Sequence, residues 1–203
     1  LGSKYKGKSI GSFSDITMFS FDPVKTFTSI DGGAIVVNSQ KDMYKLHQMR
    51  LMGMSQKAKV MYKNQRSWFY DVKHLGFRYH LANLHAAIGL EQLKKKNIIK
   101  KSRIQTFKFY NKQLKKEKSV VIPKYQEETI PFHYCLRIKK KRNELINFLK
   151  KSGIDTGIHW QPNHNFSLFK KSKSGDLTIT EKIKNEILTL PLHSLMNKKE
   201  INY

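Results

Sequence analysis

The sequence predicts an α/β fold for the larger first part of the chain and a smaller α+β unit after it. Residues 16–21 and 34–37 are short runs of β-branched, aromatic and aliphatic side chains, which are typical of strands. Apolar residues then recur at helical intervals between positions 81 and 114. After Pro123, residues 132–138 alternate in polarity with a period of two, as a strand with one buried face does.

The two apolar runs are continuous rather than alternating, so they predict strands covered on both faces. Next, Ser39 with Asp42 three residues later resembles a capping box, and it predicts a helix that runs to about residue 51 and ends at Gly53. Residues 54–75 show no period, which predicts a long loop of the kind that often has a function.

The apolar spacing over residues 81–114 predicts one long helix, or two helices joined near residues 94–97. Small side chains at Ala82, Ala86, Ala87 and Gly89 would let this region pack closely against a neighbouring element.

The smaller unit is predicted to contain the strand at 132–138, an amphipathic helix closed by Gly153 and a second strand over 154–160. Thr178 and Glu181 have the spacing of another capping box, which predicts a last helix running through Ile187. We therefore expect the larger first part of the chain to span residues 1–112 and the smaller unit to span residues 113–203.

Composition limits the function classes. The chain has 203 residues, with 39 Lys and Arg against 15 Asp and Glu, a formal net charge of +24 and a hydrophobic content of 39%. This content excludes a disordered tail. Only six of the cations are arginine, and the lysines are scattered, so we expect an ordinary solvated surface. The alternative is a positive field that attracts an anionic small molecule such as a nucleotide-linked substrate, and specific nucleic-acid binding is the least favoured.

No apolar run approaches the roughly 20 residues of a membrane span, and no signal peptide opens the sequence. The single cysteine, Cys135, excludes an internal disulfide and a cysteine-rich metal site, and the histidines lack metal-ligand spacing. We therefore expect a soluble, cytoplasmic protein without a bound metal. Because the first residue is Leu1, we also expect the chain to be a fragment of a longer protein.

Lys25 is the most informative candidate for catalysis. It follows the first predicted strand and lies between a Pro-containing turn and the pair Gly32-Gly33. Lysine is seldom buried without a reason, and removal from water favours the neutral amine that attacks a carbonyl group. By position alone, however, a lysine at the end of a strand is more often an ordinary surface residue.

Several spaced motifs resemble the sugar-nucleotide aminotransferase family named after the DegT and StrS proteins. They are, in chain order, Phe19-Ser20-Phe21-Asp22-Pro23-Val24-Lys25, Asp31-Gly32-Gly33-Ala34, Gly76-Phe77-Arg78-Tyr79-His80, Gly157-Ile158-His159-Trp160-Gln161-Pro162 and Leu190-Pro191-Leu192-His193. The resemblance covers nearly the whole chain. It implies the fold of pyridoxal 5′-phosphate-dependent transferases of fold type I. Residues 1–112 would be the C-terminal part of the large cofactor-binding domain, and residues 113–203 would be the small α+β domain.

The resemblance also implies a role for each candidate residue. Lys25 would be the catalytic lysine that binds the cofactor aldehyde, and Ser20 would hydrogen-bond the cofactor phosphate. The family often carries an asparagine near Arg78 and His80 that reaches the phosphate of the partner subunit's cofactor. This chain departs from that pattern, but Arg78 and His80 can both donate to phosphate. His159 would lie near the substrate.

The implied reaction moves an amino group, usually from glutamate, onto a nucleotide-linked keto-sugar for cell-surface polysaccharide synthesis, in a homodimer. Alternatives are a dehydratase or isomerase with the same cofactor, and a non-catalytic regulator or binding protein of the same fold. In the family, the aspartate that pairs with the pyridinium nitrogen lies upstream of the segment matched by Leu1. We therefore expect the 203-residue chain alone to be inactive and to bind the cofactor weakly.

Overall fold

Strands and helices follow one another in two units, Leu1–Lys96 and Asn97–Tyr203. The computed structural model describes residues 2–55 and 70–202. The first unit contains β1 (Lys4–Tyr5), β2 (Lys8–Ser9), β3 (Ile16–Ser20), β4 (Gly33–Val37), α1 (Gln40–Met49) and α2 (Asn83–Lys94). The second begins with α3 (Lys96–Leu114), whose first residue ends the first unit, and continues with β5 (Val120–Val121), β6 (Tyr134–Ile138), α4 (Arg142–Lys151), α5 (Thr178–Lys184), β7 (Ile187–Leu190) and α6 (Lys198–Asn202). The predicted α/β class is confirmed.

Strands β3 and β4 form an antiparallel pair, in register from Ile16 opposite Val37 to Ser20 opposite Gly33. The predicted burial of both faces is wrong for this chain. One face presents Ile16, Met18 and Ile35, which are 57%, 76% and 49% exposed. The apolar run correctly marked the strands, but no element of the described residues covers this face.

The helix predicted after Ser39 is present as α1. The Ser39 side chain accepts a hydrogen bond from the Asp42 N–H at 3.2 Å, which is the predicted N-terminal cap. At the other end, the Gly53 N–H donates to the Gln48 carbonyl at 2.9 Å, so Gly53 helps to close the helix as expected. Much of the loop predicted over 54–75 lies outside the described residues, at positions 56–69.

The apolar spacing after residue 81 produces two helices rather than one, because α2 ends at Lys94 and α3 begins at Lys96. Close packing at a small residue is confirmed at Gly89, where an added Cβ would lie 3.3 Å from the Ser29 Cβ. Helix α2 therefore lies directly against the segment that joins β3 to β4.

The second unit is built on a three-stranded antiparallel sheet in the order β5-β6-β7. Strand β6 alternates buried and half-buried residues, as its sequence predicts. The core consists of Phe107 from α3, Tyr134, Leu136 and Ile138 from β6, and Leu188 from β7. Burial raises the pKa of the Tyr134 hydroxyl, which keeps it a donor to the Asn111 Oδ1 at 2.9 Å.

The strand predicted over 154–160 is wrong. Its only ladder contact within the described residues is at Gly157, which exchanges two hydrogen bonds of 2.7 and 3.0 Å with Thr189. Strand β7 ends at Leu190 and is followed by Pro191, which has no N–H to extend the ladder. In this register Pro191 faces residue 155, so the ladder cannot continue on that side of Gly157.

The second capping box is also wrong. The carboxylate of Asp176, rather than the Thr178 side chain, accepts hydrogen bonds from the N–H and the hydroxyl of Thr178, at 2.9 and 2.6 Å. Asp176 therefore fixes the start of α5. The helix ends at Lys184, and Ile187 begins β7 instead of extending the helix.

The predicted domain boundary at residues 112 and 113 stays a prediction. The structural units divide after Lys96, and α3 belongs mainly to the second unit. In the part of the chain that the structure describes, no helix combines the length and the apolar composition of a membrane span.

Candidate active site

A tight turn at the end of β3 carries Lys25. The Asp22 carbonyl accepts the Lys25 N–H at 3.0 Å, and the Asp22 carboxylate accepts the Val24 N–H at 3.1 Å. Pro23 occupies the second position of this turn, where its fixed φ is favourable. Lys25 is half-buried at the end of this turn. The sequence alone left open a buried lysine or an ordinary surface lysine, and the observed exposure lies between the two.

Backbone hydrogen bonds close the loop that contains this turn. The Phe21 N–H donates to the Gly32 carbonyl at 2.9 Å, and the Phe21 carbonyl accepts both the Ser29 N–H and the Thr28 hydroxyl at 3.0 Å. Phe27 and Ser29 are 4% and 1% exposed and anchor the loop. Residues 21–32, called the lysine loop below, are therefore fixed at their base and by buried side chains.

The pair Gly32-Gly33 is required by the geometry where the lysine loop enters β4. Gly32 has a φ of +105°, and a Cβ there would lie 2.7 Å from the Leu81 Cδ1. A Cβ on Gly33 would lie 2.6 Å from the Phe19 carbonyl oxygen. The Gly32-Gly33 pair thus allows the turn into β4, and Gly33 allows the close approach of β4 to β3.

Ser20 lies at the start of the same turn, as the last residue of β3. Its side chain is exposed, and its oxygen accepts the Asp22 N–H at 3.3 Å. The hydroxyl hydrogen is thereby left to donate to another group. The structure therefore places Ser20 and Lys25 at the two ends of one fixed turn.

Arg78 and His80 lie in the first unit on a segment that pairs with the end of α1. Arg78 forms a bridge with Leu51, and the Tyr79 N–H donates to the Arg50 carbonyl at 3.0 Å. The rings of Phe77 and Tyr79 stack with centroids 5.1 Å apart. Both predicted side chains are exposed on this segment, where they can meet a group from outside the unit.

His159 lies in the second unit within a cluster of rings. Its imidazole stacks on that of His133, with centroids 4.2 Å apart and an interplanar angle of 19°. The Trp160 indole meets the His159 ring edge-on at 4.5 Å. A Cβ on Gly157 would lie 2.4 Å from the His159 Cε1, so the ring occupies the space that this glycine leaves.

His133 and Arg103 also lie in this region, and neither is among the site residues predicted from the sequence. Arg103 is only 7% exposed, and it lies on the buried stripe of α3 with Ile99, Thr106 and Phe107. The signal was present, because these positions follow the helical spacing of a buried face, and an arginine on such a face needs partners.

A second polar cluster lies near His159 in the chain. Glu181 accepts from Lys184 and contacts the His164 Nε2, both at 2.6 Å, and these two hydrogen bonds lower the pKa of its carboxyl. A cleft of about 520 Å³ lies beside it, lined by Ile158, Gln161, Pro162, Asn165, Lys184 and Asn185. Across residues 2–55 and 70–202, no three His, Cys, Asp or Glu side chains come together as a metal site would require.

Known proteins are similar to this chain both in sequence and in fold. A UDP-4-amino-4,6-dideoxy-N-acetyl-beta-L-altrosamine transaminase from Campylobacter jejuni is 31% identical over 216 residues, which cover 100% of this chain and 54% of that protein. The structure of Helicobacter pylori PseC, an aminotransferase involved in the biosynthesis of pseudoaminic acid, matches with a TM-score of 0.89 and 26% identity, over 100% of this chain and 54% of that one.

The PLP-form of the putative sugar aminotransferase Spr1654 from Streptococcus pneumoniae matches with a TM-score of 0.84 and 27% identity, over 100% of this chain and 53% of that one. These likenesses confirm the predicted aminotransferase fold, and the chain spans about half the length of the relatives it matches. The family model for the DegT/DnrJ/EryC1/StrS aminotransferases matches residues 1–203. The chain therefore belongs to the DegT/DnrJ/EryC1/StrS aminotransferase family.

Proposed function

We propose that this chain forms part of a pyridoxal phosphate-dependent aminotransferase that moves an amino group from glutamate onto a nucleotide-linked keto-sugar for cell-surface polysaccharide synthesis. The observation that carries the proposal is the half-buried Lys25 on the fixed lysine loop, with Ser20 at the other end of its turn. The family match and the sugar transaminase names of its relatives support the substrate class.

The donors on this turn fit the cofactor. A primary amine suits its aldehyde, and a hydroxyl that can still donate suits its phosphate. When bound, pyridoxal phosphate supplies the electron sink for the amino acid substrate. Lys25 would hold the cofactor through its aldehyde and, once the amino donor had displaced it, the free amine would carry the proton from the substrate Cα to C4′ of the cofactor. The fixed loop keeps the amine within reach for both transfers.

Arg78 and His80 complete the phosphate site in our proposal. Both are exposed on a segment whose backbone is fixed by hydrogen bonds to α1. An arginine fork and an imidazole N–H can each donate to a phosphate oxygen. We propose that they serve the cofactor of a second copy of the chain, so that the functional protein is a homodimer.

His159 is proposed to contact the substrate from the second unit. It is half-buried and held between rings. A ring fixed in this way can present one nitrogen to a sugar or phosphate oxygen with little loss of conformational entropy. This role rests on the family resemblance together with the observed packing.

Borohydride trapping tests the proposal. The purified full-length protein is incubated with pyridoxal phosphate and reduced, and its peptides are mapped by mass spectrometry. We expect the label on Lys25, no label there in a Lys25→Arg variant, and unchanged labelling in a Lys45→Arg variant, because Lys45 is an exposed residue of α1. A protein that carries no label at Lys25 would favour the non-catalytic alternative.

A second assay separates amino transfer from dehydration. Isotopically labelled glutamate is supplied with UDP- and GDP-linked 4-keto-sugars, and the products are separated by mass. Transfer of the labelled nitrogen to the sugar supports the proposal, whereas loss of water without nitrogen transfer supports the dehydratase alternative.

A further inference from the structure

Arg103 is a buried cation that binds backbone rather than a carboxylate. Its Nε donates to the Pro131 carbonyl at 2.8 Å and its Nη2 donates to the Phe132 carbonyl at 2.6 Å. Removal from water lowers the pKa of the guanidinium. A charge buried at 7% exposure is costly, and these two hydrogen bonds offset part of that cost.

The two carbonyls that Arg103 binds belong to consecutive residues. A planar guanidinium that takes both of them fixes the orientation of two adjacent peptide groups. The next residue is His133, and β6 begins immediately after it with the fully buried Tyr134. His133 is therefore held on both sides, by the arginine fork before it and by the sheet after it.

His133 in turn determines the surroundings of His159. The two imidazoles stack at 4.2 Å, and Trp160 meets the His133 ring at 6.3 Å and the His159 ring at 4.5 Å. The His159 ring also occupies the space that Gly157 leaves. A displacement of the 131–132 backbone would remove one wall of this arrangement and leave the His159 ring free to turn.

We propose that Arg103 is a positioning residue for the substrate site: its guanidinium fixes residues 131–132 so that His133 stacks on His159. This inference rests on the proposed function, because His159 is the residue that contacts substrate there. Arg103 does not itself contact the substrate. Its contribution is expressed through the orientation of the His159 ring, and therefore in substrate affinity more than in turnover.

The conservative substitution Arg103→Lys tests the inference. An ammonium group keeps the charge but cannot reproduce the planar fork. The readout is the NMR spectrum of protein with ¹³C-labelled histidine. The ring signals of His133 and His159 are assigned with the variants His133→Asn and His159→Asn, and their chemical shifts report the stacking of the two rings. We expect Arg103→Lys to move the His159 signals and to raise the KM for the keto-sugar nucleotide by about tenfold, with kcat changed less than about twofold.

Two control variants separate positioning from general destabilisation. Ser102→Ala removes a 2.8 Å hydrogen bond from the neighbouring residue of α3 to the Ser194 carbonyl, without touching residues 131–132. Arg50→Lys makes the same chemical change at an exposed arginine. Both are expected to keep the His159 signals and the KM of the unmodified protein.

His133→Leu supplies a second, independent variant, since it keeps Arg103 but removes the stacked imidazole. We expect it to raise the KM to a similar extent. The inference is overturned if Arg103→Lys leaves the His159 signals unmoved, or if the signals move and the KM of an active enzyme does not. If the protein shows no transfer to any sugar nucleotide, the proposed function fails, and the histidine signals alone then decide whether Arg103 sets the stack.

Discussion

The two units differ in where their apolar side chains lie. The second unit buries its own core, with Tyr134 and Leu188 at 0% exposure. The first unit leaves Met18 on β3 and Leu84 on α2 at 76% and 69% exposure, and α2 contains no buried residue. The interior of the second unit is therefore supplied by residues of this chain, whereas the described residues of the first unit leave much of its apolar surface uncovered.

The two units also differ in how they hold their predicted site residues. The first unit holds the lysine loop through backbone hydrogen bonds and a few anchors such as Phe27. The second unit holds its ring cluster through a sheet and a buried arginine. A substitution at the proposed reactive group and a substitution in the core should therefore affect different measurements.

The largest expected effect is on activity in the first unit. Lys25→Ala removes the proposed amine, and we expect the rate of amino transfer in the full-length protein to fall by about 10³-fold or more. The thermal unfolding midpoint should change little, because the turn is held by backbone groups of Asp22 and Lys25 that the substitution keeps. A variant that retains more than a tenth of the rate would contradict the assignment.

The next effect compares one buried and one exposed apolar side chain. Leu188→Ala should lower the free energy of unfolding by about 2–5 kcal/mol, because it leaves a cavity in the core. Met18→Ala should change it by less than about 0.5 kcal/mol if the open face of β3 stays uncovered. Both are measured by urea denaturation of the purified protein, and a large loss for Met18→Ala would show that this face is covered.

A smaller effect is expected within the core of the second unit. Tyr134→Phe removes the hydroxyl that donates to Asn111 while keeping the ring packed between Phe107 and Tyr110. The expected loss is about 1 kcal/mol in the free energy of unfolding. Ser12→Ala, which removes an exposed hydrogen bond in the first unit, is the control and should have less effect. Equal losses would show that burial does not strengthen the Tyr134 bond.

The smallest effect is a dependence of stability on pH. Lys184 and His164 lower the pKa of Glu181 below its ordinary value of 4.5. A lowered folded-state pKa means that the carboxylate adds stability above about pH 4.5, and that this contribution is lost as the pH falls through the folded value. Because the Glu181 side chain is still 44% exposed, the contribution is small.

Glu181→Gln should flatten the pH dependence of the thermal unfolding midpoint between pH 3 and pH 6, on the order of one or two degrees. Glu144→Gln is a suitable control, since Glu144 pairs with Lys141 at an exposed position of α4. An identical profile for the Glu181 variant and the unmodified protein would show that the contacts of Glu181 with Lys184 and His164 do not contribute to stability.

Local hydrogen bonding decided which elements the sequence could predict. The Ser39 cap, the break at Lys95 and the alternation of β6 each depend on residues within a few positions, and all three are present. The strand over 154–160 depended instead on pairing with β7 and on Pro191, which lie elsewhere in the chain. At α5, the Asp176 carboxylate accepts the Thr178 N–H and takes the place of the predicted Thr178 cap. The spacing of Thr178 and Glu181 gave no information about Asp176.

The candidate site divides in the same way. The turn around Lys25 could be predicted because Asp22, Pro23 and the glycine pair encode it locally. The stack on His159 could not, because His133 is far from it in the chain and its position depends on Arg103 in another element. The roles of the five predicted site residues in cofactor and substrate binding stay predictions.

The contact between Gly89 and Ser29 offers a way to shift the lysine loop, and with it the proposed catalytic Lys25, by a substitution outside the loop. An added methyl at position 89 would meet the Ser29 Cβ at 3.3 Å, so the two segments would have to separate by a few tenths of an ångström. Substitution of Gly89 by alanine, serine or valine would therefore displace the lysine loop from α2 by increasing amounts. Such a set would show how finely the reach of the amine has to be adjusted, while every residue of the loop keeps its identity.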